Sequence, residues 1–303
     1  MARRLLAGPT VMVGLLCVAW CAPGRAESDQ TRLAAALPGL EAAISKSGAE
    51  VTVAFETLDG ALNWLRHPDD SLHAASTMKV GVLIELYRQA HEGQLRLDDP
   101  LVVKNEFASL VDGSRYSLNA ADDDETTLYA AVGATRTLRQ LSELMITVSS
   151  NFATNLLIQK LGVDHIRATM HALGADGMNI RRGVEDSKAF AKGLNNTTTA
   201  RALLTLMTAI ARGRAVDADS SHEMQAVLER QHSNDAIPAG LPPGTRVAHK
   251  TGEITAIKHD AAIVLAPRPF VLVVMTRGLA KNEDASALIA DLTRRLYQAS
   301  QPR

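Results

Sequence analysis

Apolar residues recur along this chain with two periods, and the switches between them mark out its parts. Leu33, Leu37, Leu40 and Ile44 repeat at helical spacing, which predicts a helix over Thr31–Ser47 that stops at Gly48. Pro38 weakens the first turns of that helix, and Lys46-Ser47-Gly48 reads as its C-terminal cap. Val51–Thr57 and Ala61–Leu65 are β-prone runs on either side of Leu58-Asp59-Gly60, an Asp-Gly hairpin signal. The helical period returns from Ser76 to about His91, with Gly93 just beyond. Residues 95–240 show no convincing strand pair and several helices: Leu138–Thr147, Phe152–Leu161, Asp164–Ala172, Thr198–Arg212 and Ser221–Arg230. Three β-rich segments follow, Thr245–Thr251, Asp260–Leu265 and Phe270–Thr276. Asp284–Gln298 closes the chain as an amphipathic helix with Leu288, Ile289, Leu292 and Leu296 on one face.

Sequential hairpins favour antiparallel pairing. The pattern therefore predicts an α+β, two-domain protein. One five-stranded antiparallel sheet is built from both chain ends and covered by the terminal helices, and an all-helical domain is inserted between them. In numbers, residues 27–92 and 240–303 form the sheet domain and residues 93–239 the helical one. Functional groups are expected where the chain crosses between the two, because pockets favour domain junctions.

Composition narrows the function. With 303 residues, 46% apolar and 21% charged, the chain can bury a sizeable core. Lys and Arg number 32 against 33 Asp and Glu, so no basic field exists to hold a nucleic acid, and aromatics at 4% give no base-stacking platform. Residues 1–26 read as a signal peptide: Arg3 and Arg4, then a largely apolar stretch from Leu5 to Cys21, then Gly24-Arg25-Ala26 as a cleavage site. The expected location is periplasmic or secreted, with no stable membrane anchor after processing. Lipidation at Cys21 is the alternative, disfavoured by the bulky Trp20 before it. Cys17 and Cys21 are the only cysteines, so the remaining chain has no disulfide, thiol nucleophile or thiolate metal site. The histidines form no HxH or HExxH cluster, His249 and His259 read as strand residues, and no glycine loop for phosphates is present. No metal and no cofactor is expected.

Three short motifs carry candidate chemistry. Ser76-Thr77-Met78-Lys79 places a hydroxyl and an amine on one face at the start of a helix. Serine needs a base to become a nucleophile, and a lysine whose pKa is lowered by burial and neighbouring cations supplies one. The helix N-terminus directs backbone N–H groups at a developing oxyanion. Ser149-Ser150-Asn151 lies between two helical runs; a serine there can relay a proton and the asparagine amide can hold a carbonyl or an amine. Helix capping explains the same residues equally well. Lys250-Thr251-Gly252 ends the first C-terminal strand, with a cation and a hydroxyl for a carboxylate and a glycine that lets a ligand approach the backbone. Ser117-Leu118-Asn119 and Lys46-Ser47-Gly48 have similar shapes, so no motif is decisive alone.

Their order along the chain resembles the class A β-lactamase family of penicillin-recognising serine hydrolases. The resemblance runs from about Leu33 to Leu296 and includes Asn196-Thr197-Thr198-Thr199. It implies a β-lactamase/transpeptidase-like fold, a monomer, and a small β-lactam or peptidoglycan-like substrate. It further implies that Ser76 attacks the acyl carbonyl and that Lys79 takes part in proton abstraction. Ser149 would shuttle a proton to the leaving nitrogen, and Asn151 would position substrate and Lys79. Lys250 and Thr251 would bind the substrate carboxylate, and the N–H groups of Ser76 and Glu253 the oxyanion. Whether lysine or a water-linked glutamate is the acylation base stays open.

The chain departs from the family at several points. Glu185 is the match for the glutamate that activates the deacylating water, but Ala189 stands four residues later instead of Asn, and Asn195 is the nearest substitute. Asn196 replaces the Asp that pairs with an Arg to hold that loop, Ser150 replaces the Asp inside the Ser-x-Asn triplet, and Glu253 replaces a small residue. The activity expected is β-lactam hydrolysis through a Ser76 acyl-enzyme. The alternatives are a slowly deacylating, penicillin-binding relative of carboxypeptidase or esterase type, and a non-catalytic envelope binding module.

Overall fold

The structure, a computed structural model, describes residues 23–302, with side chains from Asp29 onward. Of the segment expected as a leader, residues 1–22, including both cysteines, lie outside the described residues. Residues 23–26 open the first helix, α1 (Pro23–Ser47). That helix runs through Pro38. A proline costs roughly 3 kcal/mol inside a helix, whereas burying Leu33, Leu40 and Ile44 returns about 1.5–3 kcal/mol each. Gly48, at φ 71°, ends it as expected.

The strands β1 (Glu50–Thr57) and β2 (Asn63–Arg66) follow. Helices α2 (Lys79–His91), α3 (Leu138–Thr147), α4 (Asn151–Leu161) and α5 (Val163–Ala172) come next. Then come α6 (Ser187–Ala191), α7 (Ala200–Ala211) and α8 (Ala218–Leu228). The chain finishes with β3 (Arg246–Ile254), β4 (Ile257–Leu265), β5 (Phe270–Arg277) and α9 (Asn282–Ser300). The five strands form one antiparallel sheet in the order β2-β1-β5-β4-β3. The two-domain α+β architecture read from the pattern is the one observed.

Alternation along the strands divides the core in two. Val53, Phe55, Leu272, Val274 and Val264 face α1 and α9 with the apolar stripe of each helix. Ala54, Val271, Val273, Met275 and Ile263 face the other way, into one continuous core with α2, α3, α4 and α7. The helical part is therefore packed onto the inner sheet face rather than merely tethered to it.

Three details differ from expectation. The middle of the chain is not all-helical, because residues 100–102 pair with 135–137 and 107–108 with 115–116. Ribbons of two or three residues are too short to show a period. The nucleophile segment Ala75–Met78 is a 3₁₀ turn that leads into α2. Lys250-Thr251-Gly252 does not end its strand: β3 stays paired to Ile254 opposite Ile257, and the turn falls at Thr255-Ala256, with Ala256 at φ 56°. That turn carries no Gly, Asn or Pro, so nothing in its composition marks it.

Candidate active site

The site forms where the free edge of β3 meets the 3₁₀ turn and the start of α4. Ala75, just before Ser76, is held at φ 44°, a left-handed conformation that a non-glycine residue adopts only under constraint. The constraint is visible: Ala75 N–H donates to His73 Nδ1 at 3.0 Å, and the His73 carbonyl accepts from His259 Nε2 at 2.9 Å. His259 Nδ1 in turn accepts from Thr276 N, so the ring is neutral with its proton on Nε2, and burial lowers its pKa to about 4. The histidine read as a plain strand residue thus ties the sheet to the turn that carries Ser76. Gly252 lies against the same turn; a Cβ there would stand 3.0 Å from Ser76 N and 2.9 Å from Thr77 N.

Lys79 and Lys250 are both fully buried. Lys79 Nζ donates to the Ser149 carbonyl at 2.5 Å, to Ser149 Oγ at 3.1 Å and to Asn151 Oδ1 at 2.9 Å. Lys250 Nζ donates to the same Ser149 Oγ at 3.0 Å and to the Thr251 carbonyl at 2.9 Å. One hydroxyl therefore bridges two amines brought in by distant segments. Burial lowers the pKa of Lys79 to about 7, with Asp123, Asp124 and Glu185 opposing the fall. Burial and the neighbouring Lys79 push Lys250 well below its ordinary value. Ser149 itself sits at φ 59°.

Asn151 joins this cluster to the loop glutamate. Its Oδ1 faces Lys79 and its Nδ2 donates to Glu185 Oε1 at 2.8 Å, so opposite charges fix the amide orientation. Partial desolvation raises the Glu185 pKa, the Asn151 hydrogen bond works against the rise, and Asp123 and Asp122 add to it. Glu185 is the third constrained residue here, at φ 60°. Next to it, Asn155 clasps Val184 with both ends of its amide, at 2.6 Å to N and 3.0 Å to the carbonyl.

Ser76, Lys79, Ser149, Asn151, Glu185, Lys250, Thr251 and Gly252 thus converge on one region. The Glu253 side chain is engaged elsewhere. It is exposed and paired with Lys258 at 2.6 Å, which offsets its charge. Ser150 turns inward as the α4 N-cap, accepting from Ala153 N. Ala189 is buried in α6, and Asn195 Oδ1 accepts from Arg182 at 3.2 Å. Asn196 replaces an ion pair with four neutral contacts: Oδ1 accepts from Arg181 N and Arg182 N, and Nδ2 donates to the Arg182 carbonyl and to Met78 Sδ.

Two residues escaped the sequence reading. Asp123 accepts from Asn151 N at 3.1 Å, Phe152 N at 2.9 Å and Tyr129 Oη at 3.0 Å, with Ser150 Oγ at 3.4 Å. It places a carboxylate at the α4 N-terminus, where the triplet itself has only Ser150. It stands in the run Asp122-Asp123-Asp124-Glu125, which reads as solvated surface. Asn155 was findable, because its i+4 spacing from Asn151 puts both on one helix face.

A family model described as the β-lactamase enzyme family matches residues 35–300. The chain belongs to that family. Among β-lactamase relatives, the enzyme of Bacillus licheniformis is 30% identical over 172 residues, covering 54% of this chain and about half (55%) of the relative's own length. A β-lactamase structure from Sphaerobacter thermophilus superposes with a TM-score of 0.73 at 28% identity, covering 90% of this chain and 99% of that one. A PBP-A mutant solved as an acyl-enzyme complex with penicillin G superposes with a TM-score of 0.74 at 26% identity, covering 88% and 96%.

Proposed function

We propose that this β-lactamase family member is an exported serine hydrolase that opens β-lactam rings through an acyl-enzyme on Ser76. The observation that carries the reading is Ser149 Oγ held at 3.1 and 3.0 Å between two buried amines, beside Asn151 and Glu185. With a pKa near 7, Lys79 is partly neutral at physiological pH and can accept the Ser76 proton as Oγ attacks the lactam carbonyl. The oxyanion is stabilised by the N–H groups of Ser76 and Glu253. When the ring C–N bond breaks, Ser149 gives its proton to the nitrogen and recovers one from Lys79. Lys250 and Thr251 hold the substrate carboxylate. For deacylation, Glu185 takes a proton from water as the hydroxide attacks the ester, and returns it to Ser76 Oγ. The raised Glu185 pKa suits a base that must also release its proton. Residues 27–92 with 240–303 would supply Ser76 and Lys250, and the inserted 93–239 would supply Ser149, Asn151 and Glu185.

A specific observation favours a second reading, a penicillin-binding protein that deacylates slowly. No asparagine stands four residues after Glu185, and the Asn195 amide oxygen is occupied by Arg182. Turnover of a chromogenic cephalosporin followed by intact mass spectrometry separates the two. Hydrolysis by the wild type, none by Ser76→Ala, and a stable Ser76 adduct in Glu185→Gln support the first. A stable adduct already on the wild type supports the second. Equal turnover by wild type and Ser76→Ala rejects both.

A further inference from the structure

Behind the Glu185 loop lies a second cavity, about 310 Å³, that shares no wall with Ser76, Lys79, Ser149 or Lys250. Its apolar wall is Phe107, Leu110, Ile158 and Val163. Its polar side is Tyr116, Arg181 and Arg182. Arg182 is 7% exposed, and its guanidinium donates only to neutral oxygens: the Leu194 carbonyl at 2.8 Å, the Gly183 carbonyl at 2.9 Å and Asn195 Oδ1 at 3.2 Å. Among the described residues no carboxylate comes within ion-pair distance of it, and the partly buried Arg181 guanidinium has neither a hydrogen bond nor an ion pair. Asp186 acts on Arg182 through space from beyond ion-pair distance, and its oxygens already accept from Ser109 Oγ, Leu110 N and Ala189 N. A buried cation is ordinarily paired, since leaving it uncompensated is costly. Here one buried and one half-buried guanidinium, neither with an acid within ion-pair distance, line a mostly apolar cavity at the small end of ligand-site volumes.

We propose that this cavity binds a small amphipathic carboxylate, with the anion on Arg181 and Arg182 and a single ring or short aliphatic body against Phe107, Ile158 and Val163. The complementarity is specific: the lining combines two cations with a hydrocarbon surface. Gly183 is part of its lining and precedes Val184, which is gripped by Asn155 and by Tyr116 Oη at 3.1 Å. An occupant would therefore press on the segment that presents Glu185. That coupling rests on the function proposed above; the binding does not.

The test uses 3-phenylpropionate as probe and its neutral amide as control, with methyl NMR of the described chain. Millimolar or tighter binding of the acid, shifts centred on Ile158, Val163 and Leu110, and at least about tenfold weaker binding of the amide are expected. Arg181→Ala should weaken the acid by about tenfold or more, and Arg181→Lys should recover part of the loss. Absence of saturable binding overturns the proposal. So do shifts confined to the Ser76 region, equal affinity for acid and amide, or undiminished binding by Arg181→Ala. None of these readouts requires β-lactam turnover, so failure here is distinct from failure of the proposed activity.

Discussion

Replacing Asp123 by Asn tests whether a carboxylate from outside the Ser-x-Asn triplet sets the site. Oδ2 accepts from Phe152 N and Tyr129 Oη, and Oδ1 from Asn151 N and Glu125 N. An asparagine keeps one oxygen. Its best placement turns the new NH₂ toward Tyr129 Oη, which can rotate to accept, and loses the charge-assisted bond from Phe152 N. That costs about 1.5–3 kcal/mol, a fall in Tm on the order of 5 °C for a chain of this size. The electrostatic consequence is separate. Asp123 raises the pKa of both Lys79 and Glu185, so its loss lowers both. A base is active above its pKa, hence the acid limb of kcat/KM must move to lower pH whichever of the two accepts the Ser76 proton. One elementary charge removed near a buried amine, at an effective dielectric of about 20, corresponds to a movement on the order of half a pH unit or more. The assay is kcat/KM for a chromogenic cephalosporin from about pH 5 to about pH 9, alongside thermal unfolding. An acid limb that stays put or moves up, in a variant that is folded, refutes the reasoning.

Other expectations follow from close contacts. Asn196→Asp looks like the restoration of an ion pair with Arg182. However, Asn196 Nδ2 donates to the Arg182 carbonyl at 3.0 Å, and a carboxylate would set oxygen against oxygen in a buried position. The variant should lose about 1–3 kcal/mol, read as a lower Tm; a higher Tm would show that the guanidinium recaptures the charge. Gly252→Ala would place a methyl 2.9 Å from Thr77 N and 3.0 Å from Ser76 N. It should lower kcat/KM by about tenfold or more through displacement of β3 from the turn, and lower Tm through an overpacking cost of about 1–3 kcal/mol; full activity would show that the close approach is dispensable.

The parts of the site that were legible in the sequence are those whose chemistry is local. Ser76 and Lys79 are one helical turn apart, Ser149 and Asn151 flank the start of one helix, and Lys250, Thr251 and Gly252 share one strand, so residue type and spacing suffice to nominate them. Asp123 was invisible because its main partners are the backbone of α4, far along the chain, and it stands inside a run of four consecutive acids. The direction of the Glu253 side chain was equally closed to a linear reading: only the fold shows it paired with Lys258 across the β3–β4 turn.

The sequence by itself determined the sheet built from both chain ends, the terminal helices that cover it and most helices of the insertion. Periods of two and 3.6 residues are properties of the local backbone and survive in the order of side chains. Tertiary structure alone decided that Ser149 Oγ would lie between Lys79 and Lys250, that both amines would lose their water, and that Asn196 would replace an ion pair with neutral contacts. Those outcomes depend on desolvation and on distances between segments that only the folded chain brings together. Neither quantity exists until the two cores have closed.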